Sequence, residues 1–234
     1  MARFDRYSVN NALLIAAQNP HATRLADFGT WKKEGVSIKK GEKSLLLLEP
    51  GKEYTKADGK TGVSYNAKRV FDIFQTDAEP VTQESQPEMR QLLTALIHTG
   101  SCQAEIREEL PDDKIAMYDF EKQRILLLRG TEGNESLFRE YAQELSMAYL
   151  SADENALRKD CAFSAMCSAY VLCRRFGLDT STFNFRAISG ECSNADAKEM
   201  QSKLKEIRTY ANRICGDMTR HLEKSLKPQV QEAR

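Results

Sequence analysis

The stretch from Thr76 to Glu88, TDAEPVTQESQPE, limits most strongly what this sequence can fold into. It carries two prolines, is polar and acidic, and has no apolar residue recurring at helical or strand spacing, so it reads as a linker. The chain is therefore expected to divide into a first domain at 1–76, a linker at 77–88 and a second domain at 89–234. With 234 residues, 41% of them hydrophobic and 29% charged, there is enough apolar material for a core on each side of that divide.

Before the linker, Ser8 to Gln18 reads as a short amphipathic helix that Ser8 or Asn10 can cap and Pro20 ends. A second short helix is expected over Ala22–Ala26, with a turn or helical turn over Phe28–Lys33 that stops at Gly35. Then the period changes. Ser44–Glu49 is an uninterrupted apolar run and predicts a buried strand, Asp58-Gly59 is a hairpin signal, and Val63–Gln75 predicts a second strand.

After the linker, a helix is expected over Glu88–Gly100 and a two-stranded hairpin from Ile115–Tyr118 and Arg124–Leu128. Glu135–Leu150 predicts a strong helix, with Leu137, Phe138, Tyr141, Ala142, Leu145, Ala148 and Tyr149 on one face. Helices over Asp160–Phe176, stopped by Gly177, and Asp196–Leu226 complete the chain. The last is expected to bury Leu204, Ile207, Tyr210, Ala211 and Ile214. The fold class is α+β: a small helix-plus-antiparallel-sheet domain, then a mainly helical domain with a short β-hairpin.

Formal net charge is zero, but residues 1–75 hold 13 Lys+Arg against 8 Asp+Glu, and the remainder holds 21 against 26. A basic part joined to an acidic part fits a polyanion partner for one end only, with chance as the plain alternative. No apolar run approaches the ~20 residues that span a bilayer, and MARFDRYSVN lacks a signal-peptide core, so a cytoplasmic protein without membrane contact is expected. Cys102, Cys161, Cys167, Cys173, Cys192 and Cys215 contain no CxxC pair and read as reduced thiols. Cys161, Cys167 and Cys173 recur every six residues, a rotation of about 240° on a helix, so they do not converge on one ion.

The order of elements after the linker is that of small zincin-like metallopeptidases. Those enzymes need two histidines one helical turn apart on one metal, a Glu directly after the first, and a third ligand from the next helix. Here the helix reads Gln143-Glu144-Leu145-Ser146-Met147. The spacing and the Glu are intact, but Gln143 and Met147 stand where histidines are required. An amide oxygen is a weak donor and a thioether suits Cu(I), so no metal and no other cofactor is expected, and the chain is not expected to be an enzyme. His21, His98 and His221 lie far from this segment in sequence. The plain reading of Glu144 is a helix-face carboxylate, solvated or paired to Arg139 or Arg158, and that of Met147 and Met166 is core filler.

RYSVNNALLIAAQNPHATRLADFGTWKKEGVSIKKGEKSLLLLEPG (6–51) resembles the N-terminal single-stranded-DNA-binding domain of ArdC-type antirestriction proteins. The resemblance is nearest to the form in LtrC-like proteins of conjugative elements, and it continues through Tyr65-Asn66, Lys68 to Ile73 and Gln75-Thr76. REYAQELSMAY (139–149) and AYVLCRRFGLDTS (169–181) are similar to the zincin-like domain that follows in those proteins. By this resemblance the two ligand histidines fall on Gln143 and Met147 and the third, acidic ligand falls near Met166. The second domain then reads as a retired peptidase kept for its shape or its surface, available to a protein partner. Proteins of that family usually have a helix before the position that Phe4 takes here, so the resemblance leaves the completeness of the N-terminal domain open.

Single-strand binders combine cations for phosphates with aromatic rings for unpaired bases. Arg24, Lys32, Lys33, Lys39, Lys40 and Lys43 interleave with Phe28 and Trp31 in this way, and Tyr7, Tyr54 and Tyr65 are further stacking candidates. Asn10, Asn11 and Asn66 offer amides, and Lys68 and Arg69 add charge. The alternatives stand beside these readings. Trp31 is equally a core anchor, Lys39 to Lys43 a solvated turn, and Asn10 and Asn11 braces of the first helix. The expected partner is single-stranded DNA, and the expected role is that of a non-catalytic antirestriction accessory protein of a mobile element. The alternatives are an interaction module built on an inactive peptidase fold, and a peptidase with unorthodox ligands.

Overall fold

Ser8 opens the first element of the computed structural model, which describes residues 4–78, 87–100, 102–131, 134–151, 158–186 and 195–226. The Ser8 hydroxyl accepts the Asn11 N–H at 3.2 Å, and helix α1 runs Val9–Gln18. The chain falls into two compact units that part between residues 84 and 85, inside the segment read as a linker. Residues 79–86 of that segment lie outside the described residues.

In the first unit, strand β1 (Leu25–Ala26) precedes helix α2 (Phe28–Lys33), and strands β2 (Leu45–Thr55) and β3 (Thr61–Asp72) form a long hairpin. The sheet is antiparallel in the order β1-β3-β2, with Leu45 opposite Val70 and Leu47 opposite Lys68. The short helix expected over Ala22–Ala26 does not form. The buried Asp72 carboxylate accepts the N–H groups of Thr23 and Arg24, at 2.6 and 3.1 Å, and leads Leu25 and Ala26 onto β3. Asp27 then caps α2 by accepting the Thr30 N–H at 2.8 Å. The apolar run at 44–49 is a strand but is buried on one side only: Leu45 and Leu47 are in the core, whereas Leu46 and Leu48 are exposed.

Helix α1 also satisfies the outer edge of β2. The Asn11 amide donates to the Leu48 carbonyl and accepts the Leu48 N–H, both at 2.9 Å. The Gln18 amide makes the same two bonds with Leu46, at 2.9 and 2.8 Å. Beyond the core, Tyr54 lies across from Gly62, where an added Cβ would sit 2.7 Å from the ring.

The second unit holds α3 (Met89–Ile97), β4 (Gln103–Arg107), β5 (Ala116–Asp119), β6 (Arg124–Leu128), α4 (Glu135–Leu150), α5 (Arg158–Arg175) and α6 (Ala197–Leu226). The expected hairpin is part of a three-stranded mixed sheet in the order β4-β6-β5, in which β4 runs parallel to β6. Helix α4 begins and ends where its periodicity predicted, and Phe138, Tyr141, Ala142 and Leu145 are buried between the sheet and the other helices. Helix α6 buries Ile207, Ala211, Ile214, Met218 and Leu222, while Leu204 and Tyr210 are half-buried. The described cysteines, Cys102, Cys161, Cys167, Cys173 and Cys215, are thiols outside any disulfide, and burial pushes Cys173 up to about 12. Cys192 lies outside the described residues. No helix of the described residues is long and apolar enough to cross a membrane.

Candidate nucleic-acid interface and candidate metal centre

Successive side chains of a strand point to opposite faces, and β3 divides the expected DNA contacts accordingly. Tyr65 and Arg69 are exposed on one face beside Leu46, Leu48 and Ala67, with Tyr65 61% exposed. Lys68 stands on the other face, where Tyr7 and Arg24 also gather. There a cavity of about 260 Å³ is lined by Tyr7, Asn11, Asp27, Thr30, Glu49 and Lys68 among others, and a second of about 350 Å³ adjoins Tyr7, Arg24 and Glu34.

The cations on this inner face are already partnered. Lys68 Nζ is 2.7 Å from Glu49 and 3.4 Å from Asp27, and the hydrogen bond to Glu49 is the chief reason its ammonium is held above the usual lysine range. Asp27 is held below the usual carboxylate range, first by the Thr30 N–H and next by the Thr30 hydroxyl. Arg24 donates to both Glu34 oxygens at 2.8 Å, and its guanidinium lies 4.8 Å from the centre of the Trp31 ring. The Tyr7 hydroxyl donates to the Leu25 carbonyl at 3.3 Å, and burial raises it above the ordinary phenol range.

Two of the expected contacts are corrected. Trp31 is fully buried, with its Nε1–H donating to the Phe71 carbonyl at 3.1 Å, so its ring is a core anchor and offers no face to a base. Both ends of the Asn11 amide are used on Leu48, so it braces the sheet edge. Asn10 is exposed on α1. Lys32 and Lys33 are exposed in the last turn of α2, and Lys40 and Lys43 are exposed in the connection to β2. Lys39 donates to the Phe74 carbonyl at 3.1 Å. Sequence reasoning missed the outward leucines Leu46 and Leu48; the alternation of a strand covered on one face was the signal that could have found them.

In the second unit, Gln143 is half-buried, Met147 is fully buried and Met166 is half-buried. Their amide and thioethers do not suit zinc, and no group of three or more His, Cys, Asp or Glu among the described residues could hold a metal ion. The donor set therefore does not fit the metal that the zincin resemblance implies.

Glu144 is buried and bonded on both oxygens. Arg158 donates from Nη1 to Oε1 and from Nη2 to Oε2, both at 2.9 Å, and Tyr118 N–H donates to Oε2 at 2.7 Å. The same Arg158 Nη2 donates to the Tyr118 carbonyl at 2.9 Å, and the guanidinium lies 5.5 Å from the centre of the Phe120 ring. One turn earlier, Glu140 accepts the Ile115 N–H at 3.3 Å. A two-pronged pair with a backbone donor is the arrangement that makes a buried carboxylate tolerable.

The family model of the N-terminal domain of anti-restriction factor ArdC matches residues 1–93. Along most of its length the chain is similar in fold to the antirestriction ArdC protein from plasmid R388. Its Mn(II)-bound crystal structure superposes with a TM-score of 0.57 at 16% identity, covering 91% of this chain and 89% of that one. The metal-free crystal structure gives 0.52 at 17% identity, covering 92% and 86%. An uncharacterized protein of Bacillus anthracis, pXO2-81, is 24% identical across 91% of this chain, which spans 45% of that relative.

Proposed function

From the premise that the chain is ArdC-like, carrying an ArdC N-terminal domain at residues 1–93 and the ArdC fold, we propose that it is an antirestriction accessory protein that binds single-stranded DNA through its first unit and performs no peptidase chemistry in its second. The observation that carries the first part is the open face of the β2–β3 sheet. There Tyr65 is exposed opposite Pro50, and Leu48, Leu46 and Arg69 are exposed further along the same face. Unpaired bases stack on such a ring at about 1–3 kcal/mol per base without regard to sequence, and nearby cations neutralise the backbone. The exposed lysines 32, 33, 40 and 43 add charge elsewhere on the same unit. Duplex DNA, whose bases are already stacked on one another, gains nothing from Tyr65.

Fluorescence anisotropy with a labelled single strand and its duplex, at low and moderate salt, tests this. Tighter binding of the single strand, weakening steeply with salt, is expected. Tyr65→Ala is expected to lower single-strand affinity roughly 5- to 150-fold at unchanged melting temperature. Equal binding of both forms, or of neither, rules the reading out.

The absence of peptidase chemistry is supported by the donor set at 143, 147 and 166 and by the closed hydrogen bonding of Glu144. A general base needs a free oxygen within reach of the proton it takes. Here both oxygens are taken by the chain's own donors. Metal analysis of purified protein tests this part, and a stoichiometric transition metal would refute it.

A further inference from the structure

We infer that Arg158 is an internal plug of the retired cleft. Its guanidinium supplies from within the chain the positive charge that a metal ion supplies in a working zincin site, and it closes the β5 edge beside it. The inference rests on the reading of the second unit as non-catalytic and states what replaced the metal there.

Three facts carry it. First, the charge is aimed at the right group: the carboxylate that follows the first vacant ligand position, Glu144, receives two parallel N–H bonds from Arg158. Second, the same pair takes both backbone polar groups of Tyr118. Its N–H goes to Glu144 and its carbonyl accepts from Arg158. Strand β5 lies at the edge of its sheet, and an extended peptide added to an edge needs those very groups. Third, the carboxylate end of the pair is buried: the Glu144 side chain is 5% exposed and that of Arg158 34%, with Phe120 packed against the guanidinium.

A metal ion brought to positions 143 and 147 would meet a cation already seated at the neighbouring carboxylate. Like charges repel, and the guanidinium already neutralises the carboxylate that would otherwise offset the charge of the ion. Restoring ligands alone is therefore insufficient to restore metal binding, and the guanidinium must also leave.

The test uses the full chain. Gln143→His with Met147→His provides two imidazoles, and the same pair of changes is made with and without Arg158→Met. Cobalt(II) is titrated into each and followed by its visible absorption. The variant lacking Arg158 is expected to bind cobalt(II) at least about tenfold more tightly. A smaller difference, or no uptake by either, overturns the inference while leaving the non-catalytic reading intact. Stoichiometric metal on the unaltered protein would instead overturn that reading, and the inference with it.

A second measurement holds if the histidine variants fold poorly. Arg158→Met alone is expected to lower the melting temperature by on the order of 10 °C, because it strands a buried carboxylate. Glu144→Gln with Arg158→Met is expected to recover most of that loss, because the neutral amide introduced by the first change can still accept the Tyr118 N–H. A double variant as unstable as the single one argues against the plug.

Discussion

Lys68 in the first unit and Arg158 in the second are both cations held by carboxylates, yet they leave their surroundings in opposite states. Lys68 shares two acceptors, Asp27 and Glu49, and side chains on both sides of each contact are more than a third exposed. Exposed pairs of this kind contribute at most about 1 kcal/mol and are weakened by salt, so a phosphate can exchange with them. Arg158 faces a carboxylate that is 5% exposed, and its bonds run through the backbone of a neighbouring strand. The first unit carries its charge as a removable coat on a rigid core. The second uses its charge as a clamp. A basic surface stays usable only where its ion pairs are wet.

If coat and core are separate in the first unit, the largest effect should come from the core. Trp31→Ala removes a fully buried ring and its bond to the Phe71 carbonyl, and is expected to cost about 3–5 kcal/mol, read by denaturant unfolding. A loss under about 1 kcal/mol would mean that Trp31 is surface after all, and the comparison would fail. Next, Arg69→Ala should weaken single-strand binding and flatten its salt dependence by about one phosphate contact, with melting unchanged.

Asp27→Asn sharpens the comparison through pH. The folded carboxyl of Asp27 lies below its ordinary value, so its stabilisation is present above the ordinary aspartate range and is lost as pH falls through the lowered value. The wild-type advantage over Asp27→Asn in melting temperature should therefore be present at neutral pH and fade as pH falls below the ordinary aspartate range. An advantage that grows on acidification would contradict the hydrogen bonds assigned to Asp27. The smallest effect is expected for Lys68→Ala, under about 1 kcal/mol of stability. A loss as large as that from Arg158→Met would erase the distinction between coat and clamp.

The elements legible in the sequence were those whose signals are local. Helix α4 shows its apolar stripe at helical spacing, Ser8 caps α1 within its own turn, and Gly59 and Gly177 mark turns with φ of 79° and 70°. Strand β4 was not legible, because its central apolar residue, Ile106, is 62% exposed and its neighbours are polar; pairing with β6 makes it a strand. Strand β1 was hidden for a similar reason, since Asp72, remote in sequence, positions Thr23 and Arg24.

The site followed the same rule. Composition pointed to aromatic and basic residues in the first unit, but it could not assign faces, so Lys68 and Arg69 were grouped although they point in opposite directions. That Gln143 and Met147 are poor zinc donors follows from their side chains alone, and Arg158 was a foreseeable partner for Glu144. The part played by Tyr118 was not, because it depends on how β5 packs on α4.

The two amides of α1 have a consequence for behaviour in concentrated solution. A hairpin strand with bare N–H and C=O groups is a template on which a second molecule can grow a fibre or a precipitate. Asn11 and Gln18 act as stoppers on that row by bonding Leu48 and Leu46, just where the strand also shows leucine to water. Leucine at both positions would leave the fold much of its packing but remove its protection against self-association, and turbidity on storage would report the loss.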